Sequence, residues 1–99
     1  MDAHTPTGAT MKKTDANQQE IIDALRAVGA TVQDASGLGK GAPDLIVGIR
    51  GVTYLIEIKN PETKGKLNEN QKKWHAAWRG QVDVAWTVED AFRVIGVME

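Results

Sequence analysis

The sequence predicts an α/β fold, a mixed four-stranded sheet with helices packed on it. Three observations carry this reading. Two runs rich in valine, isoleucine and tyrosine, Asp44 to Ile49 and Val52 to Lys59, flank Arg50-Gly51, a two-residue hairpin signal. Helical stripes lie on both sides, Ile21-Ile22-Leu25-Val28 before and Leu67-Gln71-Trp74-Trp78 after. The elements run α-β-β-β-α-β with a further helix at the C-terminus and no internal repeat, which suits one sheet with helical cover.

Taken in order, residues 1–13 carry His4, Pro6 and Gly8 without an apolar period and read as a flexible tail. Residues 14–99 form a single domain. The first helix starts near Asp15, capped by Thr14 or Asp15 with Gln18 or Gln19 near the capping-box position, and Gly29 stops it. Ala30 to Ala35 is a weak strand. Ser36 to Pro43, with Gly37, Gly39, Lys40 and Gly41, is a loop. The two clear strands follow, and Asn60-Pro61 ends the second because proline cannot donate to the ladder. A polar loop leads to a helix from about Asn68 to Trp78, stopped by Gly80. Val82 to Trp86 is the fourth strand, and Thr87 to Asp90 opens the last helix with Phe92, Ile95 and Met98 on one face.

Composition excludes several classes. A chain of 99 residues supports one core, and 41% hydrophobic residues rule out wholesale disorder. No apolar run approaches the length of a membrane span, and the N-terminus lacks the apolar centre of a signal peptide, so a cytoplasmic protein is expected. Without cysteine there is neither a disulfide nor a thiolate zinc site. The net charge is only −1, but its distribution is uneven. From Lys59 to Lys73 five lysines face two glutamates, whereas four acids from Asp83 onward face Arg93. The positive charge therefore adjoins the loop and strand ends where a phosphate backbone would need it.

The hairpin brings chemistry together. A two-residue turn pairs Ile49 with Val52, and each outward step keeps the pair in register until Asp44 lies opposite Glu57. Directly opposed residues have Cβ atoms about 4.5–5.5 Å apart on one face. Two carboxylates at that separation repel unless a cation lies between them. Lys59, two residues past Glu57, shares the face. Oxygen donors of this kind suit magnesium or manganese, which can activate water and bind phosphate oxygens. The backbone carbonyl of Ile58 is a further candidate ligand, and Lys59 is placed to orient water or neutralise developing charge.

These residues carry a resemblance. Pro43-Asp44 and Glu57-Ile58-Lys59 resemble the motif of the PD-(D/E)XK nuclease superfamily, and the α-β-β-β-α-β order matches its restriction-endonuclease-like core. Within that superfamily the Gly41-Ala42-Pro43-Asp44-Leu45 entry and the Gln71 to Trp74 helix resemble the VRR-NUC family of virus-type replication and repair nucleases, over about residues 15–95. The resemblance implies a metal-dependent DNA endonuclease, similar to Holliday junction resolvases and acting as a homodimer. It assigns Asp44 and Glu57 to the metal and Lys59 to catalysis. Glu20 corresponds to a first-helix acid that completes the metal site, with Gln19 as the alternative, and Gln71 to a polar catalytic residue of the helix after the motif.

Other residues are weighed on their own chemistry. Gln71 lies on the stripe of Trp74 and Trp78, and a glutamine there needs partners. Lys40 in its glycine-rich loop, Ser36, Lys64, Lys66, Lys72 and Lys73 are candidate DNA contacts, although the loop lacks the spacing of a phosphate-binding Walker sequence. Trp74, Trp78 and Trp86 follow element periods and read as core rather than as base-stacking platforms. His75 stands alone and receives no role. The expected activity is structure-selective cleavage of branched DNA by a homodimer, since two strands require two sites. A non-catalytic DNA-binding module with the same fold is the rival expectation.

Overall fold

The structure, a computed structural model, describes residues 13–60 and 66–98, with side chains from residue 16 onward. The element order is α1 (Lys13–Ala27), β1 (Thr31–Asp34), a short 3-10 turn (Ser36–Leu38), β2 (Leu45–Ile49), β3 (Val52–Ile58), α2 (Glu69–Ala77), β4 (Asp83–Ala85) and α3 (Val88–Val94). Every expected element is present, with ends shifted by one or two residues, except that α3 stops at Val94, four residues before Met98. The expected tail, residues 1–13, lies outside the described residues except for Lys13, which opens α1.

The four strands lie in chain order, β1-β2-β3-β4. The β1/β2 and β2/β3 pairs are antiparallel, and β4 joins β3 in parallel after the crossover through α2. This makes the sheet mixed, because a parallel partner needs a long return connection. Helices α1 and α3 pack on each other, α1 also on β1 and α3 on β4. Between helices and sheet lies the core of Ile21, Ile22, Leu25, Leu45, Val47, Ile56, Ile58, Ala85, Ala91 and Ile95. The residues alternate along the strands as a half-covered sheet requires: Leu45 and Val47 are buried while Ile46 between them is 36% exposed.

The hairpin turn carries the register. Arg50 and Gly51 both take positive φ, +52° and +77°. Two such residues make the turn whose twist matches the strands. The arginine is held there by its guanidinium, which donates to the carbonyl of Ile95 at the end of α3. Ile49 pairs with Val52 and Leu45 with Ile56, the register that the two-residue turn dictates.

Three expectations about the core require correction. Val28 is 41% exposed, because α1 ends at Ala27 and Gly29 at φ +98° turns the chain away. The tryptophans are not core. Helix α2 buries none of its residues, Trp74 and Trp86 are half-buried, and Trp78 is 44% exposed. Met98 is likewise 40% exposed, so Ile95 covers the sheet without it. Among the described residues no helix is long and apolar enough to cross a membrane.

Candidate active site

The site forms where β2 begins and β3 ends. The ladder stops at Leu45↔Ile56, one step before Asp44 and Glu57. Asp44 leaves the ladder but stays tied to both sides: its carbonyl accepts from the Ala35 amide at 2.7 Å, and its Oδ2 accepts from the Ile58 amide at 2.8 Å. Glu57 remains in the sheet, paired with Val84 on its other side. A cavity of about 250 Å³ opens here, lined by Gln18, Ser36, Asp44, Glu57, Ile58, Lys59, Asn60 and Gln71.

Gln71 joins the parts. Its Nε2 donates to Glu57 Oε2 at 2.8 Å, and its Oε1 accepts from Lys59 Nζ at 2.8 Å. The same Oε1 accepts from the Asn68 amide at 2.9 Å, while Asn68 Oδ1 accepts from the Gln71 amide at 2.9 Å. The second pair of bonds is a capping box at the start of α2. One glutamine therefore caps a helix and orients both an acid and a lysine. Helix α2, lacking an apolar anchor, is attached to the sheet at this end through polar bonds. Asn68→Ala removes half of the box and is expected to cost about 1 kcal/mol of stability. Thermal melts of the two proteins check this.

Electrostatics single out Glu57. Its side chain is 1% exposed, yet Lys59 Nζ lies 3.7 Å from Oε2, longer than a direct hydrogen bond. Its other oxygen, Oε1, is buried and has no hydrogen-bond partner. Burial raises the carboxyl from 4.5 to about 8, helped by the negative charge of Asp44 and by a side-chain hydrogen bond to it, and opposed by Lys59. A buried acid with one unsatisfied oxygen facing a second acid is short of positive charge.

That shortage is what a divalent cation would supply, so the donor set fits one. Asp44, Glu57 and the Ile58 carbonyl would hold it. Among the described residues no three acidic, histidine or cysteine side chains cluster, so these residues bring two carboxylates to the site, Asp44 and Glu57. Magnesium commonly binds through one or two carboxylates and keeps several waters.

The remaining residues divide. Glu20 is exposed and does not line the cavity; Gln19 is also exposed and donates to Asp23. Gln18 takes the place on α1 instead. The signal was available: Gln18 precedes Ile21, Ile22 and Leu25 by three, four and seven residues, while Glu20 points about 200° away from it. Sequence reasoning also missed Asn17, whose Nδ2 donates to the Lys59 carbonyl at 3.0 Å, and Asn60, buried beside it. Ser36 lines the cavity, but its hydroxyl donates to Asp34 at 2.6 Å, which lowers the Asp34 carboxyl. Lys40, at φ +57°, is exposed on the loop that abuts α2, and Lys66, Lys72 and Lys73 are exposed at and before α2. Lys64 lies outside the described residues. His75 is half-buried next to the site, its Nε2 without a partner, and burial keeps its pKa below the ordinary value.

The VRR-NUC domain family matches residues 4–88. The chain belongs to the VRR-NUC family. A solved VRR-NUC domain superposes with a TM-score of 0.68 at 27% identity, covering 86% of this chain and 96% of that one. No curated protein matches the sequence. Membership makes this a nuclease-type domain of DNA processing, and the VRR-NUC fold is the mixed four-stranded sheet described above.

Proposed function

We propose that this VRR-NUC domain is a divalent-metal-dependent endonuclease that hydrolyses phosphodiester bonds in branched DNA. The observation that carries the reading is the buried, unsatisfied Oε1 of Glu57, facing Asp44 with Lys59 held alongside by Gln71. Magnesium or manganese, when bound, would polarise the phosphate and lower the pKa of an attacking water.

The chain's own residues do the rest. Glu57 presents its carboxylate from β3 and Asp44 from the residue just before β2, held there by its bonds with the Ile58 and Ala35 amides. Lys59 keeps its ammonium on the cavity wall, 13% exposed, where it can neutralise charge that develops on the phosphate oxygens. Gln71 prevents that ammonium from closing directly on Glu57, which would satisfy the acid and displace a cation. Lys40, Lys66, Lys72 and Lys73, all exposed, supply phosphate contacts outside the cavity, and such contacts position DNA without reading its sequence.

We further propose a homodimer, so that two sites address two strands of one junction. The cytoplasm of a bacterial or phage-infected cell is the compartment proposed for its action.

The test is cleavage of four-way junctions, flaps, splayed arms and intact duplex with magnesium and with manganese. Branched substrates should be cut and plain duplex spared, with no cleavage in chelator. Asp44→Asn and Lys59→Ala should each reduce the rate roughly 10³-fold while leaving the circular dichroism unchanged. Full activity in either variant, with contaminating nuclease excluded, sinks the assignment.

A further inference from the structure

Helix α2 turns away from the core a pair of indoles that the nuclease chemistry does not use. Trp74 and Trp78 stack with ring centroids 4.6 Å apart and planes inclined by 18°. Trp78, the outer ring, is 44% exposed. Its position is nevertheless restrained. The indole Nε1 donates to the Gln81 carbonyl at 3.1 Å, and the close approach depends on Gly80, where a Cβ would lie 2.9 Å from that nitrogen.

We propose that this stacked pair is a platform for an unpaired nucleobase of the DNA. The proposal rests on the nuclease reading above and names what that site selects. Three features favour a base over other occupants. First, a fixed aromatic with an exposed surface suits a flat π-system, and every base has one. Second, the surroundings are cationic: from residue 66 to residue 79 the chain holds Lys66, Lys72, Lys73 and Arg79 against Glu69 alone, and all four cations are exposed. An anionic backbone matches that charge, whereas an apolar protein partner does not call for it. Third, the platform shares a helix with Gln71, which holds Lys59 and Glu57. At about 1.5 Å per residue, Trp74 and Trp78 lie roughly 4.5 and 10 Å further along the axis. A strand advancing about 3.4 Å per nucleotide covers that distance in about three nucleotides.

The consequence is selectivity. In an intact duplex each base is covered by its neighbours and offers no face to an indole. At a branch, flap or single-stranded arm a base is free to stack. The platform therefore retains DNA near the cavity only where pairing is interrupted, and structure selection needs no contact to base edges.

The experiment uses the full chain in chelator, so that nothing is cut, with a short oligothymidylate and a blunt duplex of the same length as probes. Affinities are read from the anisotropy of labelled DNA. Trp78→Leu should lower the ratio of oligothymidylate to duplex affinity about tenfold, the size of one base–aromatic stack. Trp78→Phe, which keeps a π-face, should restore most of the ratio. An unchanged ratio in a folded Trp78→Leu protein, with duplex still bound, overturns the platform and leaves the nuclease reading standing. If neither probe binds in a salt-sensitive way, the nuclease reading falls and the platform with it. A change of solution mass in Trp78→Leu would make the pair a contact between copies of the chain, which also overturns the proposal.

Discussion

Glu57→Gln is expected to abolish cleavage and, in the metal-free protein, to raise the melting temperature at pH 8. The two effects have one cause. Glu57 is buried with one oxygen unpaired, and its carboxyl is raised from 4.5 to about 8. Between those values the folded protein holds a proton that the unfolded chain releases. The contribution of this group to stability is therefore fullest below pH 4.5 and is lost as the pH rises through 8. Glutamine mimics the protonated acid and still accepts from Gln71 Nε2 through its carbonyl oxygen. A tenfold difference in proton affinity between the folded and unfolded chain is worth about 1.4 kcal/mol, and about 1 kcal/mol moves the midpoint of a domain this size by about 4–8 °C. Thermal melts in chelator at pH 5 and pH 8 should show the parent losing about 5 °C or more and the variant losing little of that. Cleavage at pH 8 with magnesium should fall roughly 10³-fold, since a neutral amide cannot replace a carboxylate ligand. Equal pH slopes in the two proteins would remove the electrostatic account. Magnesium should stabilise the parent, more strongly at pH 8 than at pH 6, because binding must displace the proton.

Gly41→Ala is the second substitution with a large expected effect. Gly41 has φ +85°, and a Cβ there would lie 2.2 Å from the Asn70 carbonyl oxygen, 2.5 Å from its carbon and 2.9 Å from the Gln71 nitrogen. All three are backbone atoms, so no side-chain rotation relieves the clash. Either the loop or the start of α2 must move. The left-handed conformation costs alanine roughly 1–2 kcal/mol, and overpacking adds roughly 1–3 kcal/mol. Helix α2 buries no residue, so it is the element that yields. Its displacement withdraws Gln71 from Lys59 and Glu57, and cleavage should fall at least about tenfold beyond what the melting temperature explains. Gly51→Ala is the control: φ is similar at +77°, but nothing lies within 4 Å of the added carbon. It should lose stability and keep its rate once assayed below its melting point. Full activity in a folded Gly41→Ala protein would remove the coupling between this loop and the site.

Much of the fold was legible because its signals are local. Arg50-Gly51 between two β-branched runs specifies a hairpin, and the hairpin specifies which residues share a face. Glu57 and Lys59 follow from that arithmetic; Asp44 lies one step past the last ladder pair and is placed by its bonds with the Ala35 and Ile58 amides. The misread residues have a common cause. Periodicity shows that Leu67, Gln71, Trp74 and Trp78 share a face of a helix but not what the face meets. The tryptophans read as core because large apolar side chains usually find one, yet α2 buries none of its residues and meets β3 through Gln71, bonded to Glu57 and to Lys59 just beyond it. Glu20 was favoured for its charge, whereas the direction of α1 is set by Ile21, Ile22 and Leu25, and these bring Gln18 to the cavity.

By itself, then, the sequence determined the strand register and the placement of Glu57 and Lys59 on one face, because both depend on a turn of two residues and a side-chain period of two. Tertiary structure alone decided which helix faces reach the site, that Gln71 bridges Glu57 and Lys59, that the loop at Gly41 abuts α2, and that Trp78 stays exposed. Those contacts join residues distant along the chain, and their distances are set by how the helices and loops pack around the sheet, which no local pattern encodes.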